Sequence, residues 1–402
     1  MAFAFLVALV LFYSLESFRL ERNRRRLSLK ICVTGARGKS TVVRLLASAL
    51  REAGFQVLAK TTGTRPMLLL PDGSEAELRR RGRPSVLEQI RIVRKAAELS
   101  ADVIVVELMS FRPETLSIES RRIFKPNLLL ITNARPDHTE HWGPSRETAA
   151  RCLASAIPPD CTVFVPEEEN LPVWEAAAAR VGGSELVTVG DGCARGTRPP
   201  SHGPDWEGDS GSGLRFTSNE SLVRAVTDSL NIDGELADLG IRRSLPDLGR
   251  LRVWSWKPGP GDEAWDCVSA FAANDPVSTR SVIDKIMALG LLDGKPVLGI
   301  LNLRRDRGDR TLQWLDALRA GSFPEFQALY VCGGHARAFK RRLRHDKSLC
   351  PVVLKAGRPE AVMSYMAARS PVPGLVLGMG NMGGDGRRLL EYWEKEGKPH
   401  VV

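Results

Sequence analysis

Apolar positions along the chain alternate between short uninterrupted runs and repeats with helical spacing. The runs at 31–33, 102–107 and 128–133 predict strands buried on both faces, because apolar residues fill consecutive positions there. At 41–53 and 86–99, apolar residues recur every three or four positions, as is typical of amphipathic helices. Strands that alternate with helices favour a parallel sheet with helices on both faces. The pattern therefore predicts an α/β fold.

The second half of the chain alternates in the same way and predicts a second α/β domain. Its predicted strands lie at 268–271, 297–302, 328–332, 352–354 and 374–377. The segment 245–250 contains proline and glycine and predicts a hinge between the domains. Residues 190–213 are rich in glycine, proline and serine and predict a mobile surface insertion. We therefore expect a central domain at 29–245 and a C-terminal domain at 246–402.

The N-terminal stretch is apolar and uncharged until Glu16. As a helix that ends at Phe18 it would be about 27 Å long, enough to cross a bilayer. Five arginines follow between residues 19 and 26, whereas a secretory signal carries its positive charge before the apolar core. The positive-inside rule then places the rest of the chain in the cytoplasm. We expect a transmembrane anchor at 1–18 and a basic linker at 19–28; the alternative is a hydrophobic helix packed on the protein or on a partner.

The composition, 43% hydrophobic and 26% charged, is that of a folded protein, with a net charge of +10. The positive charge is concentrated at 19–26, 79–83 and 340–344. Nucleic acid, an anionic membrane surface or a polyanionic substrate would each attract such clusters. Few aromatic residues interleave with them and no zinc-finger spacing occurs, so nucleic acid is the least favoured. The seven cysteines form no CxxC pair and are predicted to be small core residues in a reducing compartment.

The strongest chemical motif joins the first predicted strand to the first predicted helix of the central domain. The sequence Gly35-Ala36-Arg37-Gly38-Lys39-Ser40-Thr41 follows a Gly-x-x-Gly-Lys-Ser pattern, two residues shorter than the general phosphate loop. A loop of this kind presents backbone N–H groups to an anion, and the helix dipole adds to the attraction. Lys39 supplies charge for the terminal phosphates, and the Ser40 hydroxyl is placed for Mg²⁺. The alternative is a tight turn with an exposed lysine. It is disfavoured because the strand, the two glycines, the Lys-Ser pair and the helix all match a phosphate loop.

Polar residues also follow other strands of the predicted central sheet. Glu107 ends the strand 102–107, and ligands of such sheets bind at the carboxyl ends of the strands. We therefore expect Glu107 to face the same crevice as Lys39 and to bind Mg²⁺. His138, with an acid before it and another two residues after it, is a candidate metal ligand. The hydroxyl-rich turn 61–64 predicts a second phosphate or substrate loop.

Three strand ends in the second half carry polar groups as well. The first is Asn274-Asp275, and the second is the arginine-rich segment 304–310. This segment follows a buried strand, which favours anion binding over a solvated surface loop. The third, the glycine-rich segment 378–384, could be taken for a dinucleotide fingerprint, but it lies too close to the C-terminus to open a βαβ unit.

Together these motifs resemble those of the ATP-dependent amide ligases of the Mur ligase superfamily, and within it the poly-γ-glutamate synthase branch. The shortened phosphate loop is characteristic of the superfamily. The stretches Lys60-Thr61-Thr62-Gly63-Thr64 and Ala273-Asn274-Asp275 narrow the resemblance to the polyglutamate branch. Further matches are the N-terminal anchor, Glu107, Asp137-His138, Gly143-Pro144, Asn219, Asp306–Thr311 and Gly378–Asn381.

The resemblance implies a Mur-ligase-like central ATPase domain with a parallel sheet and a Rossmann-like C-terminal domain. It also implies that ATP activates a glutamate carboxylate as an acyl phosphate, which the amine of the next glutamate attacks, with release of ADP and phosphate. The implied cofactors are ATP and two Mg²⁺ ions, which Mn²⁺ could replace. The implied partners are glutamate, poly-γ-glutamate and other membrane subunits of the synthase. The expected location is the cell membrane, with the catalytic domains in the cytoplasm and no nucleic acid bound.

Carried over residue by residue, the resemblance also implies roles for individual side chains. The implied catalytic residues are Lys39, His138 and Glu107. The implied metal ligands are Ser40, Glu107 and His138. The implied nucleotide-binding residues are Thr34, Gly35, Arg37, Gly38, Lys39, Ser40, Thr41, Asn219, Asn274 and Asp275. The expected substrate-binding residues are Thr62, Thr64, Arg304, Arg307 and Arg310.

The chain departs from the superfamily pattern in two places. Many relatives carry a carbamylated lysine shortly after the histidine, but no lysine occurs between Lys125 and Lys257, so a second metal must be held differently. Relatives often have Asp-His-x-Asp where this chain has Asp137-His138-Thr139-Glu140, which changes the reach of the second acid. The alternatives to polyglutamate synthesis are a Mur-like ligase for another amino-acid polymer, a non-catalytic nucleotide-binding anchor for envelope assembly, and a nucleic-acid ATPase motivated only by charge.

Overall fold

The structure, a computed structural model, divides into two compact units. The first contains the elements up to residue 243, and the second contains those from residue 252 onward. The predicted hinge at 245–250 and nearly all of the predicted insertion lie outside the described residues. The structure describes the chain except for residues 63–65, 79, 81–84, 136–141, 144, 167–169, 191–216, 245–251, 260, 293, 345–350, 355–356, 371 and 400–402.

The first unit is built around an eight-stranded sheet. Its described helices are α1 (Ala2–Arg24), α2 (Lys39–Glu52), α3 (Leu87–Glu98), α4 (Pro113–Ser117) with a π-helical continuation (Ile118–Phe124), α5 (Arg146–Ala154), α6 (Leu171–Val181), α7 (Thr217–Ser229) and α8 (Gly234–Arg243). Its strands are β1 (Leu29–Thr34), β2 (Val57–Thr61), β3 (Met67–Leu69), β4 (Glu75–Glu77), β5 (Val103–Glu107), β6 (Leu128–Ile131), β7 (Thr162–Pro166) and β8 (Glu185–Val189).

The strand order β4-β3-β2-β5-β1-β6-β7-β8 places β1 near the centre of the sheet. The six strands from β2 to β8 in this order run parallel, and only β3 and β4 add antiparallel pairs at one edge. Because side chains alternate along a strand, β1 contributes to a core on each face: Cys32 packs into one, and Ile31 and Val33 into the other. Helices therefore cover both faces, as the apolar pattern predicts.

The crevice of this sheet lies beyond the carboxyl end of β1. From β1 the chain passes through α2 to β2 on one side, whereas β6 pairs with β1 on the other side. Such a reversal of direction opens a cleft between the loops that leave neighbouring strands. The loops after β1, β5 and β6 therefore meet at one place, and polar residues in all three can contact one ligand.

Helix α1 runs without a break past the predicted anchor and through Arg24. Its apolar side chains are largely exposed, with Phe3 at 79% and Phe12 at 61% of their full accessible surface. By length and composition the helix could span a membrane, which on its own is weak evidence that it does. Its last turn is fixed to the first unit, because buried Arg24 donates to the carbonyl oxygens of Arg122 and Ile123 at 2.7 and 3.0 Å. The segment predicted as a linker is thus helical up to this point.

Helix α8 packs closely on the helix that follows the phosphate loop. A Cβ atom placed on Gly240 would lie 2.4 Å from the Ala49 Cα atom of α2. We expect Gly240→Ala to lower the free energy of unfolding by about 1–3 kcal/mol, because the backbones must separate. Gly234→Ala, in the same helix with no atom within 4 Å of its Cβ position, is the matched control and should not destabilise. Equal denaturation midpoints for the two variants would contradict this close packing.

The second unit contains a seven-stranded sheet with the order β13-β12-β11-β14-β10-β9-β15. Its strands are β9 (Arg252–Trp256), β10 (Trp265–Ser269), β11 (Val297–Leu303), β12 (Phe326–Gly333), β13 (Val352–Val353), β14 (Leu375–Gly380) and β15 (Lys398–Pro399). Its described helices are α9 (Pro276–Ala288), α10 (Gly308–Arg319), α11 (Ala336–Leu343), α12 (Pro359–Ala367) and α13 (Asp385–Glu396). The strands from β13 to β10 are parallel, and β9 and β15 pair antiparallel at the edge.

Candidate functional site

The phosphate loop is held in a conformation that requires glycine at two positions. Gly35 has φ +129°, and a Cβ atom there would lie 2.2 Å from the Thr132 hydroxyl. Gly38 has φ +82°, and a Cβ atom there would lie 2.6 Å from Oδ1 of Asn219. Both values of φ lie in the region that side chains rarely adopt. The loop can therefore approach the end of β6 and the start of α7 only because it carries no side chain at these points.

Asn133, which follows β6, fixes the centre of the loop. Its carbonyl oxygen accepts from the Ala36 N–H at 3.0 Å. Its side-chain oxygen accepts from the Arg37 N–H at 3.2 Å, while its amide group donates to the Arg37 carbonyl at 3.0 Å. These bonds set the direction of the loop, so the amides that open α2 point along the helix axis toward the crevice. A preformed loop of this kind is ready to receive phosphate.

Lys39 opens helix α2, and its side chain folds back over the loop. Its ammonium group donates to the Gly35 carbonyl at 2.8 Å and lies 3.4 Å from the Ala36 carbonyl. The positive charge is thus held against the loop that would surround a phosphate. The role at the terminal phosphates that the sequence motif gives to Lys39 stays a prediction.

Glu107, at the end of β5, brings the phosphate helix and the turn after β2 together. The carboxylate is buried and its Oε2 atom accepts from the Ser40 hydroxyl at 2.7 Å. The same oxygen accepts from the backbone N–H of Thr62, also at 2.7 Å. The structure therefore places Ser40, Glu107 and Thr62 in one cluster. Among the described residues, no group of three or more histidine, cysteine, aspartate and glutamate side chains is arranged to hold a metal.

A cavity of about 170 Å³ opens beside this cluster. The loop after β5 forms one wall, and Trp142 closes another part, with its indole N–H donating to the Phe111 carbonyl at 2.5 Å. The residues that line the cavity are Thr34, Gly35, Lys39, Thr62, Glu107, Leu108, Met109, Ser110, Phe111 and Trp142. Gly35 and Lys39 of the phosphate loop thus also line the cavity, and a small group bound in the cavity would lie against Lys39 and Glu107.

A buried polar network supports the wall after β5. Glu119 is fully buried in the π-helical stretch, and its two carboxylate oxygens accept from the backbone N–H groups of Met109 and Ser110 at 3.0 and 2.9 Å. Gln89 of α3 donates to Glu119 and accepts from the ammonium group of Lys60 at 2.7 Å. The loop that lines the cavity is therefore tied through side chains to the end of β2.

Lys60 lies in the centre of this network and is fully buried. Its ammonium group lies 2.6 Å from Oε1 of Glu88, which also binds Arg80 at 2.7 Å. Burial lowers the pKa of Lys60, and the contact with Glu88 opposes that effect. Burial alone would raise the pKa of Glu88, but the hydrogen bonds from Arg80 and Lys60 outweigh it and lower the pKa. The ion pair thus compensates for the loss of solvent around both charges.

The predicted residues of the second unit occupy the carboxyl ends of its parallel strands. Asp275 follows β10 and caps α9, since its carboxylate accepts from the Ser278 N–H at 2.9 Å and the Ser278 hydroxyl at 2.8 Å. Asn274 precedes it, and its carbonyl oxygen accepts from the Trp314 indole at 3.4 Å. The structure thus gives Asp275 a capping contact. A role of either residue in nucleotide binding stays a prediction.

The arginine-rich segment follows β11, and two of its arginines bind acids of the same segment. Arg304 pairs with Asp306, and Arg307 lies 3.3 Å from Asp309. Arg310 is buried in the first turn of α10, whereas Arg304 is exposed. The three predicted substrate-binding arginines therefore do not form one exposed cluster, and their role stays a prediction. His138 and Thr64, together with Asp137 and Glu140, lie outside the described residues.

Several residues at the cavity have no place among the predicted site residues. Asn133 is the last residue of the predicted strand 128–133, at the same edge of the sheet as Glu107, so its position in the sequence was a usable signal. Met109, Ser110 and Trp142 line the cavity by virtue of loop conformation, for which the apolar pattern gives no indication. Glu119 acts from a helix that starts after the loop, and only the fold reveals this contact.

Models of two protein families match the chain at the positions where these two units lie. The first, the Mur ligase middle domain, matches residues 33–190, and the second, the C-terminal domain of the poly-gamma-glutamate synthase CapB, matches residues 258–396. The fold and the phosphate site thus define a protein with the nucleotide-binding domain of the Mur ligases.

Curated relatives assign the chain more narrowly. It is 30% identical over 303 residues to the PGA synthase CapB of Bacillus subtilis, covering 75% of this chain and 74% of that protein. It is 29% identical over 296 residues to the capsule biosynthesis protein CapB of Bacillus anthracis, covering 73% of this chain. The chain spans 61% of the length of this second relative. The chain belongs to the CapB family.

Solved structures agree on the fold. Escherichia coli FolC in complex with DHPP and ADP superposes with a TM-score of 0.65 at 17% identity, covering 95% of this chain and 91% of that one. MurF of Acinetobacter baumannii superposes with a TM-score of 0.64 at 18% identity, covering 94% and 79%. The predicted family and the predicted Mur-ligase-like fold are therefore confirmed, and membership of this family supports the expectation of an ATP-dependent amide ligase.

Proposed function

We propose that this chain is an ATP-dependent ligase that extends poly-γ-glutamate from the cytoplasmic face of the membrane. The observation that carries the proposal is the convergence of Lys39, Ser40 and Glu107 at the crevice of a Mur-ligase sheet, beside a cavity. Membership of the CapB family supports glutamate as the substrate. Capsule and PGA synthesis appear in the names of the two Bacillus relatives, and a FolC-type relative has been solved with Mn, AMPPNP and L-glutamate bound.

The residues present fit a nucleotide with a divalent ion. The Ser40 and Glu107 oxygens lie 2.7 Å apart, close to the roughly 2.9 Å between adjacent ligands of an octahedral Mg²⁺ site. These two residues would hold one ion, and His138 would help to hold a second. When bound, Mg²⁺ or Mn²⁺ neutralises charge on the phosphates. The loop amides and Asn219, which lies against Gly38, would bind the nucleotide, with Asn274 and Asp275 contributing from the second unit.

The reaction that we propose forms and breaks two bonds in sequence. An oxygen of a glutamate carboxylate attacks the γ-phosphorus of ATP, and ADP leaves, which yields an acyl phosphate. The amine of the next glutamate then attacks the acyl carbon, phosphate leaves and the nitrogen loses a proton. Lys39 would stabilise the charge that accumulates on the transferring phosphoryl group. Thr62, Thr64 and the arginines at 304, 307 and 310 are the proposed carboxylate-binding residues.

The proposed location follows from helix α1. Its exposed apolar surface and the arginines that follow it fit a single membrane span with the two units in the cytoplasm. Other membrane subunits of the synthase are the proposed partners.

The products of ATP cleavage test the proposal. Membranes that contain the full chain and its partner subunits should release ADP and phosphate only when glutamate is present. Hydroxylamine added during the reaction should trap a glutamyl hydroxamate, because it attacks an acyl phosphate. Release of AMP and pyrophosphate would contradict the acyl phosphate route. ADP release that responds to another amino acid but not to glutamate would assign the chain to a different polymer.

A further inference from the structure

A basic stripe runs along the exposed face of helix α11 in the second unit. Ala336, Phe339 and Leu343 form the buried face of this helix. Arg337, Lys340, Arg341 and Arg344 recur at helical spacing on the opposite, exposed face, over about 10 Å of helix. We call these four residues the α11 stripe.

Several cations of the second unit outside the α11 stripe are paired with acids. Those that lie against a carboxylate among the described residues include Arg252, Arg280, Lys295, Arg304, Arg307, Arg387, Arg388 and Lys395. Within the described part of the chain, the side chains of Arg337, Lys340 and Arg341 have no carboxylate within ion-pair distance. The α11 stripe therefore presents neighbouring positive charges on one exposed helix face.

The arrangement of these charges both favours and disfavours the helix. Lys340 and Arg341 in the last turn can interact favourably with the helix dipole, but Arg337 lies in the first turn, where a cation is unfavourable. Arg337 is also three and four residues from Lys340 and Arg341, and like charges at this spacing destabilise a helix. An anion bound along the helix would remove both costs. The stripe therefore fits a ligand with several negative charges.

The stripe begins next to the candidate substrate segment. The Gly334 backbone lies under the side chain of Arg305, since a Cβ on this glycine would be 2.3 Å from the Arg305 Cγ. His335 caps α11, and its Nδ1 atom lies 3.0 Å from the Thr311 hydroxyl of α10. A polymeric ligand that extends from the carboxyl end of β11 would pass Arg305 first and would then reach Arg337. All of these residues belong to one unit.

We propose that the α11 stripe binds the growing poly-γ-glutamate chain. This inference rests on the proposed function. Amide formation through the γ-carboxyl leaves one free α-carboxylate on every residue, so the product is a regular polyanion. Several weak contacts along one polymer add through effective concentration, so the stripe can hold the polymer without a deep pocket. The α11 stripe is exposed and shallow, as expected for a surface that binds a polymer through several weak contacts.

Neutral substitutions at matched spacing test the inference. The variant R337Q/K340Q/R341Q removes three charges of the stripe. The control R91Q/R94Q/K95Q removes two arginines and one lysine at the same helical spacing on exposed positions of α3. The full-length proteins in nonionic detergent are titrated with labelled poly-γ-glutamate, and binding is followed by fluorescence anisotropy at rising salt. The α11 variant should bind roughly tenfold more weakly at low salt, with a flatter salt dependence. The control should bind as the parent chain does.

Three results would overturn the inference: equal loss of binding in both variants, no loss in either, or protection of Lys340 by an anionic membrane instead of the polymer. The third is measured by acylating Lys340 in the full chain reconstituted in phosphatidylcholine or phosphatidylglycerol nanodiscs, with and without polymer. ATP binding by the α11 variant checks that it is folded. Glutamate-dependent ADP release by the parent chain tests the proposed function separately, so the failure of one leaves the other standing.

Discussion

Replacing Lys39 with alanine is expected to lower kcat for glutamate-dependent ATP cleavage by about 10²–10³-fold, the usual loss when one preorganised donor to a transition-state charge is removed. The Lys39 ammonium group is held 2.8 Å from the Gly35 carbonyl, so it is in place before the nucleotide binds. Its charge acts most strongly on the phosphoryl group in transfer, where negative charge accumulates. Initial rates of ADP release at saturating ATP and glutamate measure the effect.

The fold should tolerate this change, because Lys39 is partly exposed at the start of α2 and packs in no core. Lys95→Ala, at an exposed position of α3, is a control for loss of a lysine and should keep the parental rate. Polymer synthesis at the parental rate in Lys39→Ala would exclude this chain from catalysis. It would support the alternative of a nucleotide-binding anchor, in which ATP binds without being cleaved.

The phosphate site was predictable because its parts follow from local rules. A strand, a glycine loop and an amphipathic helix in sequence define the loop, and parallel strands that end at one edge bring Glu107 to it. The contact between the Ser40 hydroxyl and Glu107 spans 67 residues of sequence, yet strand order alone makes it probable. The fold class was predictable for the same reason, since both sheets are mainly parallel and their strands are uninterrupted apolar runs.

The parts that the sequence did not predict depend on contacts between distant segments. Strands β3 and β4 are only three residues long, too short for a periodic pattern to mark them. Helix α8 follows α7 after a short turn, and its packing on α2 depends on one glycine, Gly240. In the second unit, the arginine-rich segment also contains Asp306 and Asp309. Arg304 and Arg307 bind them, so the segment exposes less free positive charge than its sequence indicates.

Replacing Lys60 with methionine is expected to lower the free energy of unfolding by about 3–5 kcal/mol, the usual loss when one partner of a buried ion pair is removed. Methionine fills a similar volume but leaves Gln89 without its donor and leaves the network with one carboxylate in excess. The loop at Met109 and Ser110 depends on the same network through Glu119. Chemical denaturation measures the loss, and KM for ATP should rise because the cavity wall is no longer fixed.

A double-mutant cycle with Glu88 separates the charge effect from simple loss of packing. Lys60→Met with Glu88→Gln removes one charge of each sign, and the remaining Arg80 and Glu119 balance each other. The loss of unfolding free energy in the double variant should therefore be smaller than the sum of the losses in the two single variants, by about 1–3 kcal/mol. Additive losses would mean that the ion pair between Lys60 and Glu88 contributes no stability. In that case Lys60→Met should also leave KM for ATP unchanged, because the hydrogen bonds that Glu119 accepts from the cavity loop would not depend on the ion pair.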